Sequence, residues 1–400
     1  MKTSLKMTLG AALWTAMFLQ PATLLAQGSL TPPGAPAPTM KTLQQVEPRV
    51  PISTAPFTIS QPGPYYLTTN LTVSGGNAIT IAANGVTLDL NGFTISSTAN
   101  PASGTAVLIS GGLQDITIQN GHIRGGVTNN GSGVFSGPGF GYGIYYTGFA
   151  PQNVWVSGVS VSGCQYHGIY VGSGAITTVE NCVVLTVGGA GIVANTIRGC
   201  VALDCGDTAI YGGQVSDSRG QSVGSLGTGL SASTAQNCYG YSSSGTGLGA
   251  TTALNCYGSS SSGDGLSAIT AQNCYGQSGS GTGLYANTAQ NCYGTSSSYY
   301  GLYAITAQNC FGQSGSNYGL YAFRVASGCF GYSGSGPGLY AFVVNNCFGE
   351  SGGSGYGIYA YDIAIGSYGK TSTGPAGLRA YIANSCDGNT LNVTYKYNMP

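Results

Sequence analysis

Apolar and polar positions along this chain recur with a period near 18 residues. From residue 234 it reads TAQNCYGYSSSGTGLGAT, TALNCYGSSSSGDGLSAI, TAQNCYGQSGSGTGLYAN, TAQNCYGTSSSYYGLYAI and TAQNCFGQSGSNYGLYAF. Cysteines fall at 238, 256, 274, 292, 310, 329 and 347, each step 18 residues except one of 19. A Gly-Leu or Gly-Ile mark keeps the same beat through Gly247, Gly265, Gly283, Gly301, Gly319, Gly338, Gly357 and Gly377, with looser antecedents at Gly143, Gly168 and Gly191. Within a repeat the apolar residues alternate, as at Leu284 and Ala286, stop at a polar bend and then resume. That is a strand period, and Gly and Ser between the strands leave no run that favours helix. One repeat cannot bury its few apolar residues alone, but stacked repeats can share a continuous core. The expected fold class is therefore all-β, a parallel solenoid of about 15 coils with an 18–25-residue repeat.

The bends carry their own signal. Asn precedes the cysteine in most repeats, at Asn181, Asn237, Asn255, Asn273, Asn291, Asn309 and Asn346. Asn tolerates the left-handed backbone that a tight bend requires, and amides stacked in register can hydrogen-bond from coil to coil. This ladder, together with the Gly-Ile/Leu marks, resembles the pectin-lyase-like, right-handed parallel β-helix superfamily. The early segment GPYYLTTNLTV…ITIAANGVTLDLNGFTI…LQDITIQNGHIRGG is similar to the first coils of bacterial NosD/CASH-type secreted β-helix repeat proteins. The resemblance spans about residues 57–395 and implies a right-handed helix. It implies little about activity, because the fold hosts lyases, hydrolases, adhesins and proteins with no known activity.

Ahead of the repeats, Lys2 and Lys6 followed by an apolar run from Leu9 to Leu19 read as an export signal, with cleavage after Ala26. Residues 27–47 read as a Pro-rich linker and N-terminal cap, with a short helical turn over 41–47. Irregular coils are expected over 48–228, regular ones over 229–395, and a tail over 396–400. A secreted or cell-envelope location follows from the signal. No stretch is long and apolar enough for a convincing membrane span. Loss of the signal takes two lysines from the 11 basic residues and leaves the 11 acidic ones, a net charge near −2. So little charge excludes a nucleic-acid footprint and a polybasic membrane patch. Asn70-Leu71-Thr72 and Asn392-Val393-Thr394 match glycosylation acceptors. A monomer is expected.

Twelve cysteines in an exported chain first suggest disulfides. Their register argues otherwise. Cys182, Cys200, Cys238, Cys256, Cys274, Cys292, Cys310, Cys329, Cys347 and Cys386 share one inward column, where Ser218 and Ser367 substitute. Cys164 and Cys205 share another, with Val187 between them. In-register side chains on parallel strands point the same way, whereas a bridge needs convergent Cβ atoms. A reduced, buried stack is expected, with neither a metal nor any other cofactor.

The residue after each ladder cysteine forms an outward aromatic file, Tyr239, Tyr257, Tyr275, Tyr293, Phe311, Phe330, Phe348 and Tyr368. A second file follows the Gly-Leu mark, at Tyr285, Tyr303, Tyr321, Tyr340 and Tyr359. Flat aromatic faces with hydroxyl rims suit a polysaccharide or cell-surface glycan, and mutual stacking alone would also favour them. Thr234, Thr252, Thr270, Thr288 and Thr306 form a single file, too narrow for an ice-binding array.

Catalytic residue types are sparse. The candidates for a polysaccharide lyase or glycoside hydrolase are His122, Arg124, His167, Asp204 and Asp207. Gly206-Asp207 resembles part of the Gly-Asp-Asp element of polygalacturonases, but Thr208 stands where the second aspartate belongs. Glu180 and Arg198 fall in one column and read as a surface ion pair. The insertion over 125–142 is placed to wall a cleft. The function expected first is a non-catalytic extracellular solenoid presenting a repetitive polar and aromatic surface. The alternative is an enzyme acting on polysaccharide from its N-terminal coils.

Overall fold

A computed structural model describes residues 47–148, 151–174 and 176–399. The chain divides into two compact units, residues 1–48 and 49–400. The export signal, the linker and nearly all of the short helical turn fall in the first unit, outside the described residues.

The second unit is a parallel β-solenoid that turns about eighteen times. One file of in-register strands begins at Val50–Ile52, passes through Gly63–Leu67, Val86–Asp89 and Gln114–Arg124, and ends at Leu391–Tyr397. The count exceeds the fifteen expected because the coils before Gly143 carry neither the Gly-Ile mark nor a cysteine, so the repeat under-counts them. The last strand reaches Tyr397, two residues into the expected tail.

A regular coil has three strand segments. Leu284–Gln290 supplies two of them, creased at Asn287, which is skipped by the ladders on both sides. Tyr293–Ser296 supplies the third. Asn291 makes the bend between them with φ of 52°, and Asn181, Asn237, Asn255, Asn273, Asn309 and Asn346 hold the same left-handed conformation. Their amides also join the coils. Asn255 donates to Asn237 at 3.3 Å, Asn273 to Asn255 and Asn291 to Asn273 at 3.2 Å each. Asp217 ends this run by accepting from Asn237 at 3.0 Å.

The interior changes along the axis. One inward column runs Ile95, Ile123, Val161, Val184, Ala202, Gly220 and Gly240, and stays glycine to Gly369. A second runs Leu88, Ile118, Val156, Val179, Ile197, Val215 and then Ala235. Ile144, Ile169, Ile192, Ile210, Leu230 and Leu248 keep a third column large throughout. In the regular half, backbone approaches backbone where the glycines stand. A Cβ on Gly276 would collide with the carbonyl oxygen of Gly283.

A buried serine column compensates the thin core. Ser296 donates to the Gly281 carbonyl at 2.7 Å and accepts the Tyr299 N–H at 2.9 Å, so one hydroxyl ties its own turn to the turn before it. Ser242, Ser260 and Ser278 repeat the arrangement. Leaving either partner unpaired would carry its full desolvation cost.

All twelve cysteines are buried and free. Cys164, Val187 and Cys205 stack in one column. In the main column each thiol donates to the carbonyl two residues back, as Cys292 does to Gln290 at 3.2 Å. Sulfur also accepts a bend amide, Cys310 N–H reaching Cys329 Sγ at 3.4 Å and Cys329 N–H reaching Cys347 Sγ at 3.3 Å. Ser218 and Ser367 accept the same bond, from Cys200 and Cys347, at 3.1 Å each. That shared role explains the substitutions. Burial pushes the Cys164 thiol up to about 12 and raises Cys205 as well, so both stay protonated.

Candidate functional site

Two structural consequences of the repeat meet on one side of the regular coils. The bend amides and the first aromatic file are only two residues apart in sequence, and every coil repeats both. An open axial groove of about 810 Å³ runs between them from Val201 to Tyr293. Asp217, Asn237, Asn255, Asn273 and Asn291 line one side; Arg219, Tyr239, Tyr257, Tyr275 and Tyr293 line the other; the cysteine column lies beneath. Between Asn237 and Tyr293 the lining carries no formal charge.

The tyrosines do not offer their faces. Tyr239, Tyr257, Tyr275, Tyr293, Phe311, Phe330, Phe348 and Tyr368 stack with centroids 4.5–5.4 Å apart and planes within 13° of parallel. Each ring therefore covers its neighbour, and Arg219 caps the first at 5.1 Å from the ring centre. The groove receives ring edges and hydroxyls. Tyr257 donates to Gln277 at 2.8 Å and Tyr293 to Gln313 at 3.2 Å, which tethers these phenols while leaving their oxygens able to accept. Burial, with neighbouring tyrosines, raises the pKa of Tyr257 and Tyr275, so both stay neutral.

The second file lies on a different face. Tyr285, Tyr303, Tyr321 and Tyr340 stack within 10° of parallel, and Tyr359 turns edge-on at 80°. Tyr300 and Tyr318 pack alongside from the turns. Burial, reinforced by Tyr299, pushes Tyr300 up to about 12. Arg379 lies 4.6 Å over Tyr359 and donates to the Tyr356 hydroxyl at 3.2 Å.

The catalytic candidates are dispersed. His122 and Arg124 are exposed, and register places His122 in the column that continues through Ser160, Val183, Val201 and Arg219 to Tyr239. His167 belongs to a turn instead. Its Nδ1 accepts the Ala190 N–H at 3.0 Å, and its ring packs among Tyr142, Tyr145 and Tyr170. Burial lowers its pKa, partly offset by the charge of Asp207. Asp204 accepts from Asn129 at 2.6 Å, and exposed Asp207 accepts the Thr208 N–H at 2.7 Å. No hydrogen bond or ion pair joins these five side chains among the described residues, and no group of three or more His, Cys, Asp or Glu there could hold a metal ion. Glu180 and Arg198 do pair, at 3.9 Å on adjacent coils.

The 125–142 insertion lies against the turns. Thr128–Asn129 pairs antiparallel with Phe135–Ser136, and the buried Phe135 ring is seated where Gly188 and Gly206 have no side chain. Gln165 donates to the Phe135 carbonyl at 2.9 Å. It is a strap over successive coils.

Sequence reasoning treated the amide ladder and the tyrosine file separately. Their two-residue spacing was the signal that they wall one groove. It also missed the buried serines, although Ser stands three residues after the file aromatic in every repeat from Tyr239 to Phe348.

No protein-family model matches the chain. No curated protein matches it. Among solved structures, the catalytic domain of a GH87 alpha-1,3-glucanase in complex with nigerose aligns at 11% identity with a TM-score of 0.17, covering 87% of this chain. The chain spans 60% of that structure's length, and a likeness so slight carries no argument. No helix among the described residues is long and apolar enough to cross a membrane.

Proposed function

We propose that this protein is an exported, non-catalytic scaffold whose axial groove binds a linear, uncharged, hydroxyl-rich polymer such as a cell-surface or matrix glycan. The observation that carries the reading is the pairing of an amide wall with a phenol wall, renewed at every coil, about every 4.8 Å. Amides and phenols both donate and accept, which suits sugar hydroxyls, and the central lining has no charge to demand an ionic partner. Each contact is modest, and a repeating ligand on a repeating wall gains from many at once.

The test is retention of full-length protein on a panel of neutral and acidic polysaccharides. The double substitution Asn255→Gly and Asn273→Gly keeps the left-handed bends and removes two amides. It is expected to weaken binding to a neutral polysaccharide about tenfold while the protein stays folded, at a lower melting temperature for the loss of three ladder bonds. Unchanged retention removes the groove reading. Product release from any panel member, lost on His122→Ala or Asp207→Ala, would replace it with the lyase or hydrolase alternative.

A further inference from the structure

A second surface, separate from the groove, interrupts the repeat. The crease of each coil presents one outward residue, and towards the C-terminal end this becomes Phe323, Phe342, Tyr361 and Tyr381, exposed by 43%, 37%, 56% and 50%. These rings are not a flat stack. Phe323 and Phe342 are tilted by 60° with centres 5.9 Å apart, and Phe342 and Tyr361 by 42° at 4.7 Å. Ring faces stay open, and a hollow of about 500 Å³ lies beside Phe323, Arg324 and Phe342.

Two single-residue insertions sit on this ridge. The ladder slips between Ala322 and Val325, and again between Ala360 and Ile363, where one residue of the intervening coil, Phe342, faces two on either side. The extra residues are Arg324 and Asp362. Other charges of the regular half are engaged, Glu350 with Lys370 at 2.7 Å and Asp264 with the Thr282 N–H at 2.8 Å. Neither Arg324 nor Asp362 has a hydrogen-bond or ion-pair partner among the described residues. They are of opposite sign and lie one coil above and one coil below Phe342.

We infer that this ridge is a self-association surface whose occupant is a second copy of the chain, packed antiparallel about a two-fold axis through Phe342. A two-fold contact must be self-complementary, residue i meeting j and j meeting i. Reversal about Phe342 sets Arg324 against Asp362 of the second copy and Asp362 against its Arg324. The same operation sets Phe323 against Tyr361, Phe342 against itself and Tyr381 against Ile305, which covers the exposed aromatic patch. A dimer of this kind would replace the monomer expected from the sequence. This inference does not depend on the groove or its ligand.

The test is sedimentation velocity of the full-length protein over a concentration series. Wild type is expected to show a monomer–dimer equilibrium. Arg324→Asp sets like charges against each other at both contacts, as does Asp362→Arg, and each alone is expected to weaken dimerisation about tenfold or more. An equimolar mixture of the two variants regains both opposite-charge contacts and is expected to form a heterodimer as tightly as wild type. Both residues are exposed insertions, and unchanged circular dichroism verifies the fold. A wild type that stays monomeric, single variants that associate as wild type does, or a mixture that fails to associate would each overturn the proposal.

Discussion

The coils around Ile95 and Ile123 and those around Gly258 and Gly276 solve one packing problem in opposite ways. In the first group the inward column is branched aliphatic and its outward neighbours are Thr94 and His122. In the second the inward column is glycine and its outward neighbours are Tyr257 and Tyr275. Side-chain mass moves from inside to outside along the axis. The early coils are stabilised by buried apolar bulk, at roughly 25 cal/mol per Å² removed from water. The late coils keep one large apolar column of leucine, bury smaller Ala, Cys and Gly elsewhere, and add axial ladders of serine, asparagine, thiol and stacked rings. A thin core with external order gives a uniform surface, which is what a repetitive ligand needs.

The largest expected effect breaks that division directly. Gly276→Val places in a late coil a side chain native to the same column at Val184. With backbone in its way, it is expected to destabilise by more than about 4 kcal/mol, or to prevent folding of the regular coils. Hydrogen exchange localised to residues 257–314 would read it, and ordinary protection there would refute the account. Ser296→Ala strips the Gly281 carbonyl and the Tyr299 N–H of their shared partner, at an expected cost of about 1–3 kcal/mol in denaturant unfolding.

Tyr275→Ala removes two ring contacts, worth together about 1–3 kcal/mol. Tyr275→Phe should leave the melting temperature within a degree or so, since phenylalanine already holds this file at Phe311, Phe330 and Phe348. The smallest effect belongs to the irregular half. His167 is held neutral, with a folded-state pKa below its unfolded value. The unfolded chain then binds the extra proton first, so this contribution is complete above about pH 6.5 and is lost as pH falls below it. His167→Gln should flatten part of the melting-temperature decline between pH 7 and 5.

The solenoid was legible because its period is written in the sequence. Asn and Gly have backbone reasons to recur, and Leu284 and Ala286 alternate as inward residues must. Coil number was less legible, since the coils of Val50–Arg124 carry Ile and Val alternation without a fixed mark. Outward direction was readable for Tyr257, but ring orientation was not. The coil spacing forces neighbouring rings to face each other, so their faces are closed within the file and only edges and hydroxyls reach the groove. Arg324 and Asp362 carry no signal within the repeat itself, because an added residue shows its coil and its face only once the ladders are laid out. Their meaning depends on which coil each interrupts.

The central claim is that the groove binds through phenol hydroxyls and amides rather than through aromatic faces. Its most direct test combines Tyr239→Phe, Tyr257→Phe, Tyr275→Phe and Tyr293→Phe in the full-length protein. Affinity for a neutral polysaccharide retained by wild type is then measured beside thermal stability. The account predicts a protein that stays folded, its melting temperature lowered only by the loss of the Tyr257–Gln277 and Tyr293–Gln313 bonds, with binding weakened about tenfold or more. Binding that survives at wild-type strength would contradict it.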